Sequence, residues 1–179
     1  MNIHTSDYKR INVIQGDYAV SSDENCVLTT ILGSCVATCL YDPVVKIGGM
    51  NHFLLPGDTE RSHGDPKSYG LNAMELLIND LLKRGAARNR LQGKLFGGAR
   101  MIEGLSDIGM KNAKFATDFL SFEGIPCMSQ DLGGDMARRL RFWPTMGRVQ
   151  LKHLINKPIV PSVRKPKVPA AISSDVELF

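Results

Sequence analysis

The sequence predicts an α/β protein with a mostly antiparallel, β-sandwich-like core and helices packed on one side. Short segments rich in Val, Ile, Thr and Tyr dominate the first third of the chain. Only two later stretches carry a helical apolar period. Short turn signals join many of the strand-like segments, which favours hairpins over long crossovers. With 179 residues, 43% hydrophobic and 22% charged, the chain is of single-domain size and has apolar side chains enough for a core. No apolar run nears the roughly 20 residues of a membrane helix. Residues 1–15 lack the apolar centre of a secretory signal, so a cytoplasmic protein is expected. The four cysteines, at 26, 35, 39 and 127, are too unevenly spaced for a disulfide scaffold and read as free thiols.

The elements follow in order. INVI (11–14), CVLTTI (26–31), CVATCLY (35–41) and IGGMNHFLL (47–55) read as strands, and GDYAVSSDEN (16–25) and DPVVK (42–46) as turns. In the segment 63–85, Leu71, Met74, Leu77, Ile78, Leu81 and Leu82 recur at helical spacing. Lys83 and Arg84 suit the negative end of that helix, and Gly85 stops it. KLFGGARM (94–101) reads as a strand ending in a double glycine. A second helix is expected over 109–122, with Asp107 as N-cap and Phe115, Phe119 and Phe122 on one stripe. IPCMSQD (125–131) reads as a strand and Gly133-Gly134 as a turn. RRLRFW and RVQLKH flank Pro144–Gly147 as a hairpin.

From Lys157 the chain carries Pro158, Pro161, Pro166 and Pro169, so residues 1–156 are expected to form one domain and 157–179 a tail outside the core. Charge is uneven as well. Between Arg138 and Lys167 there are nine Lys and Arg and no Asp or Glu. Such a run suits an acidic protein, an acidic lipid surface or nucleic acid, or is a solvated strand face followed by a tail. Without arginine–aromatic interleaving or zinc-finger spacing, it does not read as a nucleic-acid module.

Cys35 and His52 are the candidates for chemistry. The segment 35–53 reads as strand, turn, strand, and a two-residue loop at Pro43-Val44 sets Cys35 opposite His52. A longer loop leaves them near neighbours. Opposed residues share a face with Cβ atoms roughly 5 Å apart, within reach of a thiol–imidazole contact. The thiolate is the nucleophile, and a neighbouring imidazolium favours it and later protonates a leaving group. Gly33-Ser34 forms a tight turn whose backbone N–H groups suit an oxyanion hole. Thr29, Thr30, Asn51 and Asp42 are candidates to orient His52, and Thr29, six before Cys35, shares its face if the alternation runs through the turn. Asn51 is expected on the opposite face of its strand. Cys26, Cys39 and Cys127 read as small buried apolar residues. Cys35, Cys39, His52 and His63 have metal-ligating atoms, but a Cys-x3-Cys without a second close pair is not a zinc spacing, and no metal is expected.

Taken together, several motifs resemble one family. They are Thr29-x-x-Leu32-Gly33-Ser34-Cys35-Val36, Asp42-Pro43 and Gly49-x-x-His52-x-x-Leu55-Pro56, with Gly16-Asp17-Tyr18-Ala19-Val20 upstream. Lys94-x-Phe96-Gly97-Gly98-Ala99 and Asp131-x-Gly133-Gly134 follow downstream. This set is similar to the signature of the chemoreceptor glutamine deamidases, the CheD family, over roughly residues 12–153. The resemblance implies Cys35 as nucleophile, His52 as general base and acid, and Thr29 as the residue that positions His52, with Gly33 and Ser34 shaping the oxyanion site. It implies hydrolysis of glutamine side chains to glutamate on chemotaxis receptors without a cofactor. It also implies a β-sandwich-like fold with a helix layer and the phosphatase CheC as a partner, and leaves nucleic acid and membrane insertion out. Two rivals use the same residues. A cysteine protease or acyltransferase would cleave peptide or acyl bonds instead of releasing ammonia. A non-catalytic receptor adaptor would bind without any turnover.

Overall fold

The computed structural model describes residues 8–56, 66–101 and 107–155. Nine strands, two α-helices and one 3₁₀ turn (Arg88–Arg90) make up its regular structure there. The strands are β1 (Lys9–Asn12), β2 (Tyr18–Ser21), β3 (Cys26–Leu32), β4 (Val36–Asp42), β5 (Ile47–Phe53), β6 (Gln92–Gly97), β7 (Cys127–Leu132), β8 (Ala137–Trp143) and β9 (Arg148–Leu154). Helices α1 (Pro66–Lys83) and α2 (Ile108–Phe122) flank β6 in the chain. A four-stranded sheet has the order β1-β3-β8-β9, and a five-stranded sheet the order β2-β5-β4-β6-β7. All pairings are antiparallel except β1 with β3 and β6 with β7.

Two apolar layers hold these parts together. Leu28, Leu32, Leu140 and Phe142 of the four-stranded sheet meet Ala37, Cys39, Met50 and Phe96 of the five-stranded sheet. On the far face of the five-stranded sheet, Val36, Leu40, Ile47, Phe53 and Leu95 pack against Met74, Leu77, Ile78, Leu81, Ala116, Phe119 and Leu120 of the helices. Central strands β4 and β5 are therefore buried on both faces, which explains why they read as continuous apolar runs. The four-stranded sheet keeps one face uncovered by any helix. The α/β sandwich with helices on one side is as expected.

Several details differ from expectation. β2 lies inside the stretch 16–25 that reads as turn, because four residues bounded by Gly16-Asp17 and Ser22-Asp23 are too short to show an alternation. Its Tyr18–Ser21 pairs with Gly48–Asn51 as an edge strand. The β4–β5 connection has four residues, with Ala37 opposite His52 and Val36 opposite Phe53. Asp42 Oδ1 caps that turn by accepting from Val44 N at 2.9 Å, and Lys46 adopts a φ of 53°. Asp107 does cap α2, accepting from Met110 N at 2.9 Å. Phe115 and Phe119 touch with ring centroids 6.3 Å apart, but Phe122 sits on the last turn and is exposed. Of the basic run, Arg138 points inward and is buried, ion-paired to Asp131 at 2.5 Å. The proposed tail from residue 157 and His63 lie outside the described residues.

Candidate active site

The strand β3 leads into the turn Gly33-Ser34, and Cys35 sits at the point where the chain re-enters the sandwich as β4. His52 lies near the end of β5. Its strand partner is Ala37, two residues beyond Cys35, so the pair are diagonal neighbours on one face. Cys35 Sγ lies 2.8 Å from His52 Nε2, and both side chains are buried, with 8% and 6% of their surface exposed. The registry is two residues away from the one that sets the pair directly opposite. An even shift keeps the face, so the contact survives.

Behind the imidazole the hydrogen bonds decide the tautomer. Thr30 Oγ1 donates its single proton to the Val13 carbonyl at 2.7 Å. The same oxygen lies 2.9 Å from His52 Nδ1, which is also 3.2 Å from the Val13 carbonyl. A carbonyl only accepts, and the hydroxyl proton is already committed. Nδ1 must therefore carry the proton and donate, and Nε2 is left with a free lone pair facing the thiol. That is the tautomer a general base needs.

Burial pushes the Cys35 thiol up, although the backbone N–H groups of Gly33 and Cys35 pull it part of the way back. Burial likewise pulls His52 below its ordinary 6.5, against the Val13 carbonyl that favours the charged ring. Both burial effects favour the uncharged forms, a thiol beside an imidazole.

The turn carrying Cys35 is held from its other side. Gly98 N donates to the Cys35 carbonyl at 2.8 Å and Ala99 N to the Gly33 carbonyl at 2.9 Å. Asn112 of α2, fully buried, donates to the Ser34 carbonyl at 2.8 Å and accepts from Leu55 N at 2.9 Å. One amide thus ties the turn that carries Cys35 to the chain just past His52. A Cβ at Gly97 would run into the Cys35 carbonyl oxygen, and this residue has a φ of 114°, so only glycine fits. Arg138 in turn donates to the carbonyls of Gly97 and Gly133. The double-glycine motifs at 97–98 and 133–134 are thereby accounted for as the mount of the Cys35 turn.

The chain is similar to known proteins along most of its length. Residues 54–153 match the family model described as CheD chemotactic sensory transduction. The "Probable chemoreceptor glutamine deamidase CheD" of Agrobacterium fabrum is 50% identical over 96% of this chain and 97% of its own. Its namesake in Caulobacter vibrioides is 50% identical over 99% of both chains, and that of Rhizobium leguminosarum 52% identical over 94% and 93%. The chain belongs to the CheD family. Among solved structures, the Bacillus licheniformis hypothetical protein YfiH aligns over 66% of this chain and 50% of its own at a TM-score of 0.45 and 13% identity.

In this CheD chain Thr29, the residue expected to position His52, makes no hydrogen bond to it. Thr30, not Thr29, contacts His52. Leu28, Thr30 and Leu32 face the sandwich interior, whereas half-buried Thr29 lines a groove on the outer face of the four-stranded sheet. The even offset from Cys35 misled because the bend at Gly33-Ser34 breaks the strand alternation. Asn51 lies on the other face, as expected, with its Oδ1 accepting from Thr38 N and its Nδ2 donating to Ala73 O. Asp42 is far from His52 and serves the ion pair with Arg90 at 2.8 Å. Cys26 and Cys39 are buried, whereas Cys127 on β7 is exposed. Among the described residues no group of three His, Cys, Asp or Glu is placed to hold a metal. Val13 and Asn112 were missed: one acts through its carbonyl, which has no sequence signature, and the other is a single Asn on a helix face.

Proposed function

We propose that this chain is a protein-glutamine deamidase acting on chemotaxis receptors in the cytoplasm, with Cys35 as nucleophile, His52 as general base and acid, and Thr30 as the residue that positions His52. The contact of 2.8 Å between Sγ and a His52 Nε2 whose lone pair is freed by the bond at Nδ1 carries this reading. The names of the curated relatives support the substrate class.

In the first step His52 Nε2 takes the thiol proton as Cys35 Sγ attacks the carbon of a glutamine side-chain amide. Negative charge builds on the amide oxygen, and the Gly33 and Cys35 N–H groups, which act on the adjacent sulfur, are the donors assigned to it in this proposal. His52 Nε2–H then protonates the departing nitrogen, and ammonia leaves a thioester on Cys35. A water molecule deprotonated by Nε2 attacks the thioester, releasing glutamate and restoring the thiol. Throughout, Thr30 Oγ1 and the Val13 carbonyl accept from Nδ1–H and stabilise the ring as it becomes imidazolium. A phosphatase of the CheC type is a regulatory partner in this proposal. Ammonia release from a glutamine-bearing receptor fragment, lost in Cys35→Ala, tests the reading.

A further inference from the structure

The run of basic residues that no step of the chemistry uses is sorted by the pleat of β8 and β9. Arg138 turns inward, while Arg139, Arg141, Arg148 and Lys152 face out on the sheet face that no helix covers. The registers place Asn12, Thr29, Arg141 and Gln150 in one row across the four strands, and Ile31, Arg139 and Lys152 in the next. Arg10 of β1 completes the set. Arg10, Arg139 and Arg141 surround a groove of about 210 Å³ floored by Asn12, Thr29 and Ile31. None of the three has an ion-pair or hydrogen-bond partner among the described residues. No Asp or Glu stands in these rows.

Like charges on neighbouring strands repel, and no acidic side chain among the described residues pairs with them here. We propose that this outer face is a docking surface for an acidic segment of a partner protein, with side-chain carboxylates held by Arg10, Arg139 and Arg141. A guanidinium presents a planar fork that fits a carboxylate bidentately, and Arg10 and Arg141 stand on strands separated by β3, two spacings of about 4.8 Å, and are offset by one row along them. Beside Arg139 in the next row, Ile31 is 54% exposed, an apolar contact that a peptide side chain covers and a phosphodiester backbone does not. An aromatic platform for bases is missing from the rows: Trp143 is buried and Arg148 stacks over its ring at 4.3 Å. A concave groove also fits a protruding chain better than a planar bilayer.

The test uses three labelled probes on the full chain: a peptide of alternating Glu and Leu, oligothymidylate, and vesicles of phosphatidylcholine with phosphatidylserine. They are compared on wild type, on the triple variant Arg10→Gln/Arg139→Gln/Arg141→Gln, and on Arg84→Gln, which removes a charge from the helical side. The proposal requires that the peptide binds wild type and Arg84→Gln alike, loses about tenfold or more in the triple variant, and weakens as salt rises. Iodoacetamide labelling of Cys35 stays the same in all three proteins, which separates docking from the site chemistry. Arginine-dependent binding of oligothymidylate or vesicles without the peptide overturns the proposal in favour of those partners. Absence of arginine-dependent binding by any probe leaves a plain solvated face and equally overturns it.

Discussion

Replacing Thr30 with Val removes one hydroxyl and keeps the shape of the side chain, so its effect is worked from two hydrogen bonds. Thr30 Oγ1 donates to the Val13 carbonyl at 2.7 Å and accepts from His52 Nδ1. A buried neutral hydrogen bond contributes about 1 kcal/mol net, and more if its partner is stranded. Here neither partner is stranded, because His52 Nδ1 and the Val13 carbonyl are already 3.2 Å apart and close on each other. Stability therefore falls by only about 1–2 kcal/mol, a drop in thermal midpoint of roughly 3–6 °C for a domain of this size. Activity suffers more. The ring is left with one anchor in place of two, and a small misplacement of a catalytic group costs up to about 100-fold. Ammonia release at saturating receptor fragment should fall about 10- to 100-fold with KM nearly unchanged. Thr29→Val, which alters only the outer groove, should leave both numbers as in wild type. If Thr29→Val is the more damaging of the two, the hydrogen-bond argument for Thr30 is wrong.

Other expectations follow from the same geometry. Cys35→Ser should abolish ammonia release while retaining the fold, because a hydroxyl beside one neutral His is far harder to ionise than a thiol. Asn112→Leu frees both the Ser34 carbonyl and Leu55 N, so it should cost about 2–4 kcal/mol in urea unfolding and lower turnover at temperatures where the variant is fully folded. In a Cys127→Ser background, iodoacetamide should label Cys35 ahead of Cys26 and Cys39, at a rate that climbs with pH through the alkaline range, since burial holds the thiol up. Ammonia release should be lost on acidification with a midpoint below 6.5, where His52 takes a proton. His52 is harder to protonate folded than unfolded, so its contribution to stability is full above 6.5 and fades as pH falls toward its folded value, a decline that His52→Gln removes. Burial raises the Asp42 carboxyl, but Arg90 and the N–H groups of Ala87, Val44 and Val45 hold it down to about 2. The stabilisation it gives is therefore present above 3.8 and is lost as pH drops toward 2, which acid unfolding of Asp42→Asn against wild type measures.

How far the residues alone reach depends on whether a feature is periodic. Both helices show a period because one face of α1 packs on β5 and β2 and one face of α2 on β6 and β4, and Asp107 announces the start of α2 by its own chemistry. The β8–β9 hairpin is legible from Pro144–Gly147 between two alternating segments. By contrast β2 is four residues long and gains its place from pairing with β5, a non-local fact. The Cys35–His52 contact is legible because parity survives an error of two in register. Thr30 is not, because parity does not survive the bend at residues 33–34. The mount made by Gly97, Gly98, Arg138 and Asn112 joins parts of the chain far apart in sequence, and only the motifs, not their purpose, are visible beforehand.

The proposed chemistry is hydrolysis of a glutamine side chain by Cys35 and His52 through a thioester. Its most direct test is the intact mass of a receptor fragment after incubation with wild type, Cys35→Ala and His52→Ala, with ammonia measured in the same samples. Wild type is expected to convert specific glutamines to glutamates with one ammonia released per conversion, and both variants to do neither. Conversion by Cys35→Ala at the wild-type rate, or binding of the fragment by wild type without any change in its mass, contradicts it.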